Sequence, residues 1–446
     1  MAWIGLALAA SNPQHLYAIY NQTSGYFQGF YESVDGGDTW TKLPTNATLS
    51  GAQSSYGWWF GRVWVDPLDQ THVFAAGVYL CESKNSGSTF TGEYNPHSDH
   101  HAMAWDLKVP GRVYLGNDGG TYRSDVNGSN DQWLAAVSQP FTQFYSVDVS
   151  EQDSTRLVGG AQDNGVNRSY GGGAGWNTYV GGDGLEALID PADQNYVYGC
   201  SQYGDCVRST NGGNTGSDFT GATSSSRRNW LTPLQFDPTD PAVLYYAGNL
   251  VNRSIDHGVH WSVISPDLTG GPGREPGYPF GTVTTVAAAR TDSNRLLAGT
   301  DDGRLWFTTN LGGNWTRVTD PNLPGTWVTR VTIDPANSLV AYATFSGYRS
   351  GGALPYVLKT TNGGTTWASI AGNLPQAPVN DLVVVGSTIY VGTDVGVFAS
   401  KSGRPKWRAA GPGLPNVPVL DLEYHEASNT LYAATFGRGM YLLPLR

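Results

Sequence analysis

The chain has 446 residues, with 26 basic and 37 acidic side chains, a formal net charge of −11 and only 14% charged residues. This acidic balance, with no basic run, excludes nucleic acid as an expected partner, and no apolar run approaches the roughly 18 residues of a membrane-spanning helix. With 58 Gly, 15 Trp and 25 Tyr, the composition points to an all-β, turn-rich chain, long enough for one repeat array or two domains.

The opening MAWIGLALAAS has the small apolar character of a secretory leader but lacks a positive start. Asn12-Pro13 and a strand-like 15–20 follow at once, so 4–10 reads as an inner strand. The low charge and aromatic richness are those of a secreted or cell-surface protein, with a leader and further chain expected outside this sequence. Strands 29–33 and 40–43 complete a first repeat. Its last hairpin tip is Ser33-Val34-Asp35-Gly36-Gly37-Asp38-Thr39-Trp40. There Asp35 can accept turn amides, Gly36 and Gly37 permit positive φ, and Trp40 brings an indole to bury.

The pattern S/T-x-D/N-x-G-x-x-W recurs, in weaker or fuller copies ending at Phe90, Trp133, Trp176, Phe219, Trp261, Trp315, Trp367 and Trp407. The period, about 46 residues, matches a four-stranded propeller blade of roughly 40–50 residues. Later repeats open at 62–66, 101–106, 145–149, 184–190, 234–237, near 282, 328–334 and 379–385, several at an Asp-Pro turn. A tenth unit, 419–443, has three strands and no such tip after it. The expected fold is all-β: a propeller of ten four-stranded repeats. Residues 1–140 form three blades, the tail of a first propeller, and 141–446 a seven-bladed ring whose missing outer strand comes from 132–137. The alternative is a single ten-bladed ring. Of three cysteines, Cys81 is alone; Cys200 and Cys206 flank a hairpin tip, where a disulfide or two thiols would fit.

With strands A to D in antiparallel order, the A–B and C–D turns share one end of every blade, and the B–C and D–A connections the other. The Trp-bearing tips are structural, so recognition is expected at the opposite end. There the B–C turns carry Asp118, Asp163, Asp301, Asp394 and Arg438. The D–A connections carry Trp58, Trp59 and Arg62, then His97, Asp99, His100 and His101, then Asp183, Arg228 and Trp230, and finally Trp327 and Arg330. Aromatic planes beside carboxylates and guanidiniums suit a sugar, whose ring faces stack on indoles while polar groups read its hydroxyls. Asp-Gly pairs also simply make good turns. In His97-Ser98-Asp99-His100-His101, adjacent strand residues point to opposite faces. His100 and His101 therefore do not share one ion, and the cluster reads as a polar network or a substrate contact. No metal and no cofactor is expected. The sequence shows no Ser/His/Asp signature, phosphate loop or dinucleotide fingerprint.

The repeated tip resembles the Asp box of bacterial neuraminidases. Together with His97-Ser98-Asp99-His100-His101, Gly116-Asn117-Asp118-Gly119-Gly120, Gln162-Asp163-Asn164-Gly165, Ser265-Pro266-Asp267-Leu268-Thr269, Gly299-Thr300-Asp301-Asp302-Gly303 and Phe436-Gly437-Arg438-Gly439, it makes the whole chain similar to sortilin-like Asp-box propeller proteins of bacteria, often labelled glycosyl hydrolases. The resemblance extends distantly to tandem-propeller xyloglucanases. It implies inverting hydrolysis by one catalytic Asp on each propeller, with Asp163 matching one and the other on an opening blade that this chain lacks. Asp118 or Asp394 is then the expected second carboxylate, and Trp58, Trp59, Trp230 and Trp327 the stacking platform. The expected partner is a polysaccharide or glycan. A non-catalytic scaffold for a peptide or protein is the alternative. A sialidase-like arginine triad, drawn from Arg62, Arg330 and Arg438, is a further one.

Overall fold

The computed structural model describes residues 3–44, 46–137, 139–221, 225–273, 278–401 and 404–445. Among them the strands form ten antiparallel sheets, nine four-stranded and one three-stranded. The protein is a multi-blade β-propeller. It divides into two compact units, Met1–Gln139 and Pro140–Arg446.

The first unit holds blades 1 to 3. Blade 1 runs Trp3–Leu8, Leu16–Asn21, Phe27–Ser33 and Thr41–Lys42; blade 2 runs Arg62–Val65, Val73–Ala76, Leu80–Ser83 and Thr91–Glu93. Blade 3 runs His100–Trp105, Val113–Asn117, Gly120–Ser124 and Leu134–Ala135. Tyr17, Ile19 and Phe30 pack against Val63, Val73 and Phe90 between the first two sheets. Phe74, Leu80, Leu115 and Trp133 fill the next layer. Each such side chain contributes roughly 1.5–3 kcal/mol by leaving water.

Two short helices, α1 (Ala47–Gln53) and α2 (Gly57–Phe60), replace the expected loop between blades 1 and 2. Asn46 caps α1 by accepting the Leu49 amide at 3.1 Å, and Leu49 and Ala52 bury its inner face.

The second unit holds blades 4 to 10, with A strands Phe144–Ser150, Ala187–Ile189, Leu234–Phe236, Val283–Ala289, Trp327–Ile333, Val379–Val385 and Val419–His425. Blade 10 closes onto blade 4: the Val147 amide donates to Asp421 Oδ2 at 2.9 Å, and Gln143 bridges Phe436. The single ten-bladed ring therefore does not form. The expected closing strand, 132–137, is also elsewhere. Leu134 and Ala135 pair with Arg123 and Tyr122 as the outer strand of blade 3. A short hairpin anchored by buried Trp133 costs less loop entropy than a reach to the far end of the chain. Blade 10 keeps three strands among the described residues.

The tips repeat one local chemistry. Ser33 Oγ donates to Asp35 Oδ1 and accepts from the Gly37 amide, Asp35 Oδ1 accepts the Thr39 amide, and the Trp40 indole donates to the Gly37 carbonyl at 3.0 Å. Gly36 and Gly37 sit at φ 78° and 99°, where a side chain would be strained. Ser254, Asp256, Gly258 and Trp261 repeat this, as do Thr360, Asn362, Gly364 and Trp367. Tips also touch the A–B turn of their own blade, as in Gly36 N to Gln14 O and Gly363 N to Leu339 O. The other end is tied likewise, with Asp118 N to Asp99 O and Asp301 N to Thr282 O. The two ends of each blade thus carry the two turn classes that antiparallel order requires.

In blade 5, Cys200 and Cys206 are cross-strand partners joined by a disulfide. Cys81 is a buried free thiol, pushed up to about 12 by burial, with Glu93 adding to the effect.

Candidate functional site

In the second unit the chemistry gathers at the B–C turn of blade 4, between Asp153–Ala161 and Gly165–Ser169. Asp163 lies there at φ 59°, a left-handed conformation that a non-glycine residue holds only when its surroundings fix it. Its amide donates to Asp183 Oδ1 at 2.7 Å, and the other Asp183 oxygen accepts from Gln202 Nε2. The neighbouring Gln162 Oε1 accepts from the Tyr145 hydroxyl at 3.0 Å. Burial pushes the Tyr145 phenol up; the Trp230 indole works against this, and Asp183 and Asp163 add to it. Trp230, 37% exposed, meets Tyr203 edge-on at 5.4 Å. Asp163, Asp183 and Trp230 are thus brought together around Tyr145, which sequence reasoning missed. Its signal was present: a Tyr at the start of an inner strand, opposite a Gln-Asp turn.

A second gathering lies in the first unit. His101 Nε2 and Asp118 Oδ1 are 2.7 Å apart. Phe60, at the end of α2, packs on the His101 ring at 5.2 Å. Trp58 and Trp59 stand on the same helical turn, 48% and 54% exposed, with rings 5.7 Å apart. Asp99 is raised by burial and by Asp118. His97 Nδ1 lies 3.1 Å from the Ser98 carbonyl. His100 points the other way: it is 1% exposed, and burial, then His97 and His101, push it down to about 4. It is a neutral core imidazole rather than a ligand contact. Among the described residues no group of three His, Cys, Asp or Glu side chains is placed to hold a metal ion.

Other predicted residues have partners of their own. Asp301 is fully buried and accepts from Gly281 N, Thr282 N and Thr282 Oγ1 at 3.0–3.2 Å; it anchors its turn. Asp394 accepts from Asn380 Nδ2 at 2.9 Å. Arg228 pairs with Asp205 at 2.6 Å, and Arg62 covers the Trp3 indole at 4.9 Å. Trp327 stacks with Tyr278 at 6.2 Å, and Arg349 lies over both rings.

Arg330 is the clearest correction. It sits mid-strand in blade 8, not in a rim loop, and pairs with both Asp381 and Asp421. Burial opposes its charge, but those two carboxylates hold it protonated. The arginine triad therefore does not assemble, since Arg330 is already neutralised. Arg438 lies over Phe141 at 5.8 Å.

Arg330 belongs to a channel of about 440 Å³ lined by the A strands of the ring. Glu186, Asp381, Asp421 and Glu423 line it, with Asp148 beside them on the blade 4 strand. Burial, followed by neighbouring carboxylates, raises Glu186 to about 8 and Glu423 well above its usual range. Burial raises Asp148 to about 7, against the Ile189 and Val149 amides. Asp421 rises to about 6 through burial, against Arg330. Arg330 links blade 8 to blades 9 and 10 across the channel through Asp381 and Asp421. Charged residues on strands otherwise rich in Val, Leu and Ile were its sequence signal.

No family model matches the chain. A xyloglucanase of Paenibacillus sp is 26% identical over 198 residues, 38% of this chain and 19% of that protein. The chain thus spans about a fifth of its curated relative's length. Among solved structures, YCF48 from Cyanidioschyzon merolae superposes with a TM-score of 0.52 at 13% identity, over 69% of this chain and 96% of that one. YCF48 bound to D1 peptide gives 0.50 at 11% identity, over 70% and 97%. These structural likenesses concern the propeller fold alone.

Proposed function

We propose that this chain belongs to a secreted or cell-surface Asp-box propeller protein that engages a polysaccharide, in the manner of a xyloglucan-active glycosyl hydrolase. The observation that carries the reading is the Asp163 turn, held in a left-handed conformation by Asp183 and Gln202 beside Tyr145 and the Trp230 indole. A carboxyl group fixed from its backbone next to an aromatic face is what a sugar-processing site requires. The local similarity to a xyloglucanase supports the substrate class, and the Cys200–Cys206 disulfide suits an oxidising, extracellular setting.

Asp163 is proposed as one member of an acid/base pair. In inverting hydrolysis one carboxyl group protonates the leaving oxygen while the other activates water, the two lying about 6.5–9.5 Å apart. Asp394, in the same unit, is the proposed second member. Asp183 spends its oxygens on Asp163 and Gln202, so it positions. Trp230 supplies an exposed stacking face in this unit, and Trp58 and Trp59 expose two more in the first unit.

The test is reducing-sugar release from xyloglucan and β-glucans, with the product anomer followed by NMR. Release by the parent, with inversion, and loss of about 100-fold or more in Asp163→Asn supports the assignment. Equal release by both removes Asp163 from its role. Absence of both release and retardation on glycan affinity gels rejects the glycan reading.

A peptide-binding scaffold is the second reading. It is favoured by blade 10, whose strand Gly439–Pro444 has no outer neighbour among the described residues. An extended peptide adds to such an edge through main-chain bonds. Saturable binding of extended peptides, together with no binding of any glycan, would favour it.

A further inference from the structure

We infer a second binding site on the seven-bladed unit, for an acidic saccharide: a sugar ring that carries a carboxylate or sulfate group. It lies between blades 4 and 5 at the end that bears the tips, opposite the Asp163 turn, and it does not rest on the reading given above. A cavity of about 610 Å³ there has Arg156, Arg168, Tyr170, Asn177, Asn195 and Asn214 on its walls, and no acidic side chain among its described lining residues. In a chain of net charge −11 this is a local reversal of sign. The Arg156 and Arg168 guanidiniums lie 4.7 and 5.2 Å from the centre of the Tyr170 ring, so one aromatic ring holds both.

A comparison between blades shows why Arg156 can meet a ligand. Arg156 and Arg295 stand at the same place in blades 4 and 7, three residues after Asp153 and Asp292, which begin the second strands of those blades. Arg295 Nη1 donates to the Gly363 carbonyl in the tip of the next blade at 3.1 Å. Gly212 is the corresponding tip residue beside blade 4, three after Ser209 as Gly363 is three after Thr360. Its carbonyl already accepts from Arg168 Nη1 at 2.8 Å and from the Tyr170 hydroxyl. Arg168 Nη2 donates to Asn214 Oδ1 at 2.8 Å. Arg156 is left with Asp153 Oδ2 at 3.7 Å from its Nε, beyond hydrogen-bond reach, and with no acceptor among the described residues. Arg295 is equally remote from its own Asp292, at 3.9 Å, so the occupied carbonyl is what sets Arg156 apart. The Arg156 side chain is 27% exposed, hence reachable from solvent, and its planar fork matches the paired oxygens of a carboxylate or sulfate. The carboxamides of Asn177 and Asn195 in the same cavity offer donors and acceptors to hydroxyl groups, which selects a sugar over a bare anion.

The test titrates the full chain with methyl glucuronide and glucose 6-sulfate, by calorimetry and NMR. Methyl glucoside is the neutral control, and acetate and inorganic sulfate are the bare-anion controls. Expected is saturable one-to-one binding of an acidic sugar, about tenfold or more weaker for methyl glucoside and for Arg156→Gln. Arg295→Gln, the same change at the equivalent place in blade 7, leaves binding unchanged. In the parent protein the Arg156 Nε–H resonance shifts with the bound fraction, which keeps the test valid if Arg156→Gln misfolds. Tighter binding of the glucuronide assigns the anionic group as a carboxylate; tighter binding of the sulfated sugar assigns it as a sulfate. No saturable binding, binding that methyl glucoside or the bare anions match, or binding that leaves the Arg156 resonance in place overturns the inference.

Discussion

Replacing Glu186 by Gln should stabilise the seven-bladed unit at pH 8 and leave it nearly unchanged at pH 5. The carboxyl group lines the channel with Asp421, Asp381 and Asp148 around it, and Arg330 opposes their charge there. The unfolded chain releases this proton near its ordinary value of 4.5, and the folded chain only near 8. The stability contributed by this group is therefore complete below pH 4.5 and is lost progressively as pH rises to 8. That shift sets an upper limit of about 5 kcal/mol. Channel hydration and the pull of Arg330 reduce the realistic effect to about 2 kcal/mol. For a unit of this size the gain corresponds to about 4 °C in Tm. Thermal unfolding of parent and variant at pH 5 and pH 8 reads the difference directly. A variant no more stable than its parent at pH 8, or one equally stabilised at both pH values, would refute the reasoning.

Arg330→Met should destabilise the same unit by about 3 kcal/mol, because Asp381 and Asp421 are left buried without their counter-charge; denaturant unfolding measures it. Removing the disulfide with Cys200→Ser and Cys206→Ser, which opens a short loop with a sequence separation of 6, should cost about 2 kcal/mol by the chain-entropy relation, read as a lower denaturant midpoint. Trp367→Ala, at a tip where the indole is 2% exposed, should cost about 3–5 kcal/mol, whereas Trp40→Ala, at 39% exposure, should cost about 1 kcal/mol. Equal losses at the two tips would show that the tip bonds, not burial, set the stability.

The blades were legible because their signals are local. Within eight residues, Ser33 to Trp40 contain the acceptor, the glycines and the indole that the tip uses. The inner strand 379–385 was readable for the same reason: an apolar run between two turns, and it folds as Val379–Val385. Helices α1 and α2 were missed because their signal, an Asn46 cap before Leu49 and Ala52, lasts little more than a turn and sits in a region patterned as a loop. The closing strand was misread because blade 10 has three strands among the described residues. That gap invites a distant donor, yet Leu134 and Ala135 had a nearer partner in their own hairpin. Which charges pair in the channel was not legible, for the opposite reason. Glu186, Arg330, Asp381 and Asp421 are far apart in sequence and meet only when the ring closes.

The same distinction decides which turn carboxylates remain candidates for chemistry. Asp163 and Asp301 occupy equivalent Asp-containing B–C turns, in blades 4 and 7, and sequence gives no reason to separate them. Their anchoring differs. The Asp301 carboxylate is itself the anchor: three donors from Gly281 and Thr282 converge on it in a fully buried site. At Asp163 the anchor is the main chain, whose amide is held by Asp183 while Gln202 steadies Asp183 from behind. A carboxyl group whose oxygens hold its own loop cannot also exchange protons with a ligand without loosening that loop. At Asp163 a second carboxylate, Asp183, takes up the backbone amide of the turn. Asp183 is thus the residue that distinguishes the blade 4 turn from its repeats, and its effect on Asp163 is exerted through the backbone.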